Sequence, residues 1–144
     1  MHVDEREGIM PSRFFVAKNR GGNIVKLIIA EKPSVSKSLA ALLGAKDRKD
    51  GYFVGNGYIV SWCYGHLVEL ARPAAYEERY KRWAYDALPI LPETWQYAVR
   101  PEKEKQLDIL RALTRRDDVE SVVNACDAGR EGELIFRWAY EHCG

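Results

Sequence analysis

Cysteine is scarce in this 144-residue sequence: Cys63, Cys126 and Cys143 stand alone, with no Cys-x-x-Cys spacing. That excludes both a disulfide framework of the kind that staples small secreted domains and a zinc site of the usual ligand pattern. No stretch is long and apolar enough to span a membrane, and none has the layout of a secretory signal. The expected compartment is therefore a reducing cytosol, with Cys126 read as a buried strand residue. There is no GxGxxG string and no P-loop, so a nucleotide cofactor held in those ways is unsupported. Internal repeats and low-complexity tracts are also missing. Charge of one sign is not in excess, since 22 Lys and Arg face 21 Asp and Glu. Non-specific DNA binding through bulk charge needs a clustered basic surface, which this balance does not supply. The local clusters, Arg79-Tyr80-Lys81-Arg82 and Arg111 with Arg115-Arg116, read better as solvated helix faces.

What the sequence does contain is one concentrated acidic motif. Asp127-Ala128-Gly129-Arg130-Glu131-Gly132-Glu133 follows the apolar run Val122-Val123-Asn124-Ala125-Cys126. An acid thus sits where a buried strand ends, and further carboxylates open the next helix. Asp127 and Glu131 are four residues apart, so a tight strand-to-helix turn can aim both at one point. Carboxylate oxygens suit Mg²⁺, which keeps several waters and substrate phosphates as its remaining ligands. Arg130 between them is a natural phosphate partner, because its planar fork bonds two oxygens at once. The pattern is that of a metal and phosphate site at the carboxyl end of a strand, where open α/β sheets place their chemistry.

A second strand end lies near the other end of the chain. Lys26-Leu27-Ile28-Ile29-Ala30 reads as a strand buried on both faces and runs into Glu31-Lys32-Pro33-Ser34. Val35, Leu39, Leu42 and Leu43 then mark one face of a helix, with Ser34 as the expected N-cap and Gly44 as its stop. If the two strands are neighbours, Glu31 and Lys32 join Asp127 and Glu131.

These two motifs, in this order, closely resemble the amino-terminal TOPRIM domain of type IA DNA topoisomerases of the topoisomerase III branch. Gly65-His66-Leu67-Val68-Glu69-Leu70 and Leu88-Pro89-Ile90-Leu91-Pro92 resemble the same family, and the match runs from about Val25 to the last residue. The resemblance implies a metal-binding part of an enzyme that cleaves and rejoins single DNA strands through a 5′-phosphotyrosine. It implies that Glu31 acts in proton transfer at the scissile phosphate and helps hold Mg²⁺. Lys32 would steady the phosphate or the departing 3′ oxygen, and Asp127 and Glu131 would be the outer acids of an Asp-x-Asp-x-Glu metal motif. Gly129 stands where the middle acid belongs, which removes one ligand. Arg130 and His66 are the candidate phosphate or DNA contacts. None of the eight tyrosines resembles the family's nucleophile, which the resemblance places on a domain outside this chain; given the balanced charge, single-stranded DNA would also be held mainly there, with no membrane and no nucleotide cofactor as partner. A bacterial cytoplasm, close to the nucleoid, is the implied location.

The expected fold is α/β: a mostly parallel, Rossmann-like sheet flanked by helices, with a hairpin and an irregular insertion. The expected elements are strands over 25–31, 52–55, 58–64, 96–99 and 121–126 and helices over 34–43, 76–83, 102–115 and 130–141. Asn56-Gly57 marks a two-residue hairpin turn, and Leu107, Leu110 and Leu113 give the third helix its apolar stripe. Residues 71–95 form the irregular excursion. The TOPRIM domain is expected over 25–144, with a further family strand beyond the acidic motif. Residues 1–24 are expected to be a leader outside the fold, Gly21-Gly22-Asn23-Ile24 reading as a translated ribosome-binding sequence and Val25 as a GUG start.

Structural alternatives stand beside each assignment. Asp127 also suits a plain helix cap and Glu131 a plain dipole partner. Lys32 also fits a surface lysine, His66 a loop or core histidine, and Gly129 and Gly132 residues of close backbone packing. Two rival functions fit the acids: a stand-alone TOPRIM nuclease using a metal-activated water, and a non-enzymatic, receiver-like Mg²⁺-binding module.

Overall fold

The computed structural model describes residues 24–144. The leader expected over residues 1–24 therefore lies, apart from Ile24, outside the described residues.

The first strand, β1 (Val25–Ala30), is the centre of the fold. Its Leu27 and Ile29 are buried on one face and Ile28 on the other, which is why the run is apolar throughout instead of alternating. The turn Glu31-Lys32 leads into α1 (Pro33–Leu43). Lys32, not Ser34, occupies the N-cap position, and Pro33 opens the first turn; its fixed φ suits that position and its missing N–H costs nothing there. Gly44 ends α1 in the left-handed conformation with φ 76°, as expected.

Next come β2 (Asp47–Lys49), β3 (Tyr52–Gly55) and β4 (Tyr58–Trp62). Asn56 and Gly57 both have positive φ, 50° and 75°, and form the tight β3–β4 turn that their sequence demanded. Asn56 has a second task, donating from Nδ2 to the Leu43 carbonyl at the end of α1 at 2.9 Å. β4 leaves the sheet at Cys63, two residues before the expected end. β2 was not anticipated: it is three charged, exposed residues that read as loop.

Beyond β4 the chain forms β5 (Val68–Leu70), which pairs antiparallel with β6 (Tyr97–Val99) as a separate two-stranded sheet. The expected strand near 96–99 is thus present, but outside the main sheet. Between them the helix expected over 76–83 is replaced by short 3₁₀ turns at Pro73–Ala75, Glu78–Lys81 and Tyr85–Ala87. None of these turns buries a residue, so no apolar stripe sustains a longer α-helix there. A further 3₁₀ turn leads into α2 (Glu104–Thr114), followed by β7 (Val119–Ala125) and α3 (Arg130–Cys143).

The main sheet has the order β2-β3-β4-β1-β7. β1 is parallel to both neighbours, while β3 is antiparallel to β4 and to β2. Four of the five strands therefore point the same way, which is the mostly parallel sheet expected. On one face Ala40 of α1 and Ala45 just after it pack on Ile28 and Val60 of the sheet. On the other face Leu107, Leu110 and Leu113 of α2 and Ile135, Phe136 and Ala139 of α3 close over Leu27, Ile29 and Ile59; each buried Leu, Ile or Phe among them contributes about 1.5–3 kcal/mol. Gln106, also buried, fastens α2 to the sheet by donating to the Trp62 carbonyl at 2.9 Å and the Gly51 carbonyl at 3.2 Å. The basic cluster at 111–116 has structural work: Arg111 and Arg115 donate to the His142 and Cys143 carbonyls at the end of α3, and Arg116 pairs with Asp118. Among the described residues β7 is an edge strand, with Val123 37% exposed.

Candidate metal and phosphate site

β1 and β7 are hydrogen-bonded neighbours in parallel register, with Ala30 opposite Ala125. The two motifs, almost a hundred residues apart in sequence, thereby leave the sheet side by side: Glu31 from β1, and Cys126 and Asp127 from β7. The third contributor is the end of β4, whose Trp62 pairs with Ala30. The Cys63 N–H donates to the Ala30 carbonyl at 2.7 Å and the Gly65 N–H to the Glu31 carbonyl at 3.3 Å. The loop carrying His66 is thus stitched to the backbone of the Glu31 turn.

Each side chain sits differently. Glu31 is mostly buried, 12% exposed, with Lys32 Nζ 3.3 Å from its Oε1. Asp127 and Arg130 are exposed, and Arg130 makes no ion pair among the described residues, which leaves its guanidinium available at the start of α3. Glu131 lies in the first turn of α3, where a carboxylate is favoured by the helix dipole. Its Oε1 is 2.8 Å from His66 Nε2. His66 in turn sits against Trp138, with ring centroids 5.7 Å apart, and its Nδ1 is buried without a partner among the described residues. Glu133 is held by its own neighbours: it accepts from Asn124 at 3.0 Å and from Arg137 at 2.6 Å. Asn124, Asp127, Arg130, Glu133 and Arg137 line a groove of about 690 Å³ on that side of the turn.

The two glycines of the motif differ in kind. A Cβ on Gly132 would lie 2.2 Å from the Asp127 carbonyl oxygen, so the first turn of α3 packs directly on the Asp127 backbone and admits no side chain. Gly129 has extended backbone, φ −166°, and a Cβ there would meet nothing within 4 Å. The absent middle acid is therefore not excluded by space or by backbone conformation.

Two thiols flank the carboxylates. The Cys126 side chain and burial together raise the Cys63 thiol well above its ordinary value. Neither thiol was singled out for the site by sequence reasoning, since no spacing links positions 63 and 126. The His66–Glu131 pair was likewise invisible as a pair; each residue was named, but nothing local joins them.

The structure brings Glu31, Lys32 and Asp127 to one end of the sheet and sets Glu131 on His66. Among the described residues no three His, Cys, Asp or Glu side chains gather into a ready metal-ligating group. The three carboxylates nonetheless suit a hard cation, being oxygen donors, few in number, at an open strand end where waters and phosphate oxygens would complete the shell.

The model of the Toprim domain matches residues 26–144. This chain belongs to the Toprim domain family. The Toprim chain is 45% identical over 116 residues to the DNA topoisomerase 3 of Shouchella clausii, covering 81% of this chain and 16% of that protein. Against the DNA topoisomerase 3 of Bacillus anthracis the figures are 44% over 112 residues, 78% and 15%. Against that of Bacillus licheniformis they are 44% over 115 residues, 80% and 16%. The chain thus spans about a sixth of the length of the curated relatives it matches. The resemblance read from the motifs is shown at the level of family and fold. Among the described residues no helix is long and apolar enough to cross a membrane.

Proposed function

We propose that this chain is the metal-binding part of a type IA DNA topoisomerase, an isomerase acting on single DNA strands in the bacterial cytoplasm. The observation that carries the reading is the parallel pairing of β1 with β7, which puts Glu31-Lys32 and Asp127 at adjacent strand ends. The likeness to proteins named DNA topoisomerase 3 supplies the reaction.

Glu31, Asp127 and Glu131 would hold Mg²⁺, and the ion would supply charge stabilisation for the phosphodiester. Lys32 and Arg130 hold the same phosphate by charge, Arg130 through two parallel hydrogen bonds. Glu31 takes and returns the proton that transesterification moves, and its low exposure keeps bulk water from competing for that proton. His66 orients Glu131 instead of touching DNA itself. The nucleophilic tyrosine comes from outside this chain.

A plasmid assay tests the reading. The chain replaces the matching segment of the Shouchella clausii DNA topoisomerase 3, and the chimaera is given negatively supercoiled plasmid and Mg²⁺. Relaxation that Asp127→Asn abolishes is the expected result. A well-folded chimaera that leaves plasmid supercoiled contradicts the proposal. So does nicking by the 144-residue chain alone, without a covalent adduct and dependent on Asp127, which would make it a stand-alone nuclease.

A further inference from the structure

A second groove opens at the same end of the sheet, on the β4 side of Glu31. It holds about 550 Å³ and is lined in part by Arg48, Lys49, Trp62, Tyr64 and Lys105. That volume is in the usual range for small-ligand sites, about 300–1,000 Å³, so it suits a nucleotide or two and not a duplex. Its cations come from two separate pieces of chain, the β2 edge and the start of α2, while the loop after β4 adds Tyr64. Arg48 is exposed and makes no ion pair among the described residues. Lys49 and Lys105 are paired only with the exposed acids Asp47 and Asp50, each at 2.8 Å. Exposed pairs of this kind contribute little and exchange readily for a stronger anion. Asp50 and Glu102 also line the groove and keep its net charge modest, which argues against a tight polyanion site and for a short contact.

The aromatic component makes the groove specific. Tyr64 is 49% exposed and meets the Trp62 ring edge-on at 6.4 Å, so one edge of its ring is braced while the rest faces solvent. An exposed, braced aromatic ring beside cations is the arrangement on which unpaired bases stack while their phosphates are neutralised. Bases in a duplex are already stacked and cannot use such a ring.

The groove is also joined to the acid site. Trp62 is in register with Ala30, and Gly65, next to Tyr64, donates to the Glu31 carbonyl. Lys103 Nζ bridges the Tyr64 and His66 carbonyls, at 2.6 and 3.0 Å, fixing the segment that runs between the two sites. A strand whose phosphate lies at Glu31 and Lys32 therefore meets this groove next.

We infer that the Arg48–Tyr64 groove is a subsite for single-stranded nucleic acid, in which Tyr64 stacks on one unpaired base and Arg48, with Lys49 and Lys105, holds the neighbouring phosphates. The inference rests on the proposed function for its direction along the strand, but its test does not require cleavage.

Anisotropy of a labelled oligothymidylate, measured in EDTA across a salt series, reads the subsite directly. Tyr64→Ala weakens binding about fivefold or more, the loss expected for one stacked base. Arg48→Gln makes the salt dependence shallower by about 0.7 in log–log slope, the value for one phosphate contact on a single strand. Arg116→Gln, a charge loss beside Asp118 at the opposite end of β7, changes neither, and a duplex of the same length binds more weakly than the single strand. Circular dichroism confirms that the exposed-site variants remain folded. No binding by the parent chain, equal affinity and slope in Tyr64→Ala and Arg48→Gln, or equal binding of duplex each overturn the assignment. Failure here leaves the chimaera's relaxation result standing, and failure of the chimaera leaves these affinities standing, so the two readings fall separately.

Discussion

His66 Nε2 lies 2.8 Å from Glu131 Oε1, so the loop after β4 grips a carboxylate on the first turn of α3. Glu131 is otherwise 73% exposed and its carboxylate would rotate freely. In the proposed site, holding Oε1 would leave Oε2 for a cation, the usual service of a residue that orients a metal ligand from behind.

His66→Ala should therefore weaken Mg²⁺ binding by about tenfold, the lower range for loss of such a partner. Isothermal titration of both proteins measures this directly. Unchanged or tighter binding would mean that His66 competes with the ion and does not position its ligand.

Gly132 is held by the closest approach in the site. Gly132→Ala forces a methyl group to within 2.2 Å of the Asp127 carbonyl oxygen unless the backbone moves. Overpacking of this kind costs about 1–3 kcal/mol, and here the displaced residue is a proposed ligand. Urea unfolding should show that loss together with a weakened Mg²⁺ response. Wild-type values for both would show that the turn yields without cost.

Gly129 should behave in the opposite way. Gly129→Asp adds a carboxylate in open space, at an N-cap position with extended backbone. Aspartate there is better than glycine by only about a few tenths of a kcal/mol, so stability in EDTA barely changes. Mg²⁺ affinity should rise several-fold, since a further oxygen ligand is added to a sparse set. Titration calorimetry on the variant gives the answer, and an affinity at or below wild type would place the cation elsewhere.

The contrast between the two glycines shows what sequence can and cannot reveal. Both stood in the motif as the same letter, and only the packing of α3 on Asp127 separates a required glycine from a permitted one. The buried strands β1 and β7, the Asn56-Gly57 turn, the Gly44 stop and the leucine stripe of α2 were legible because each has a local periodicity or a positive-φ requirement. β2 was not, being three charged residues held only by pairing with β3. The 3₁₀ turns between β5 and β6 were misread as a helix because spacing alone hid their lack of a buried face. Glu31, Lys32, Asp127, Glu131, Arg130 and His66 could each be named from motifs, but the grip of His66 on Glu131 depends on tertiary contact. The Arg48–Tyr64 groove was invisible for the same reason: its residues are scattered between positions 48 and 105 with no shared motif.

The buried thiols set an alkaline limit. Burial pushes the Cys143 thiol from an ordinary value of 9.0 up to about 11. A group whose folded pKa is raised favours the folded state fully below its unfolded pKa, and that contribution is lost as pH climbs toward the folded value. Stability should therefore decline between pH 9 and 11, with Cys63 acting in the same direction. Chemical denaturation across that window should show a shallower decline for Cys143→Ala than for wild type. Parallel profiles would assign the decline to other groups.

The central claim, a cation site built on Asp127, is tested most directly by following backbone amide resonances through a Mg²⁺ titration of wild type and Asp127→Asn. The account predicts shifts concentrated at Glu31 and between Asp127 and Glu133 in wild type, and their loss in the variant. Shifts at those residues that persist undiminished in Asp127→Asn would contradict it.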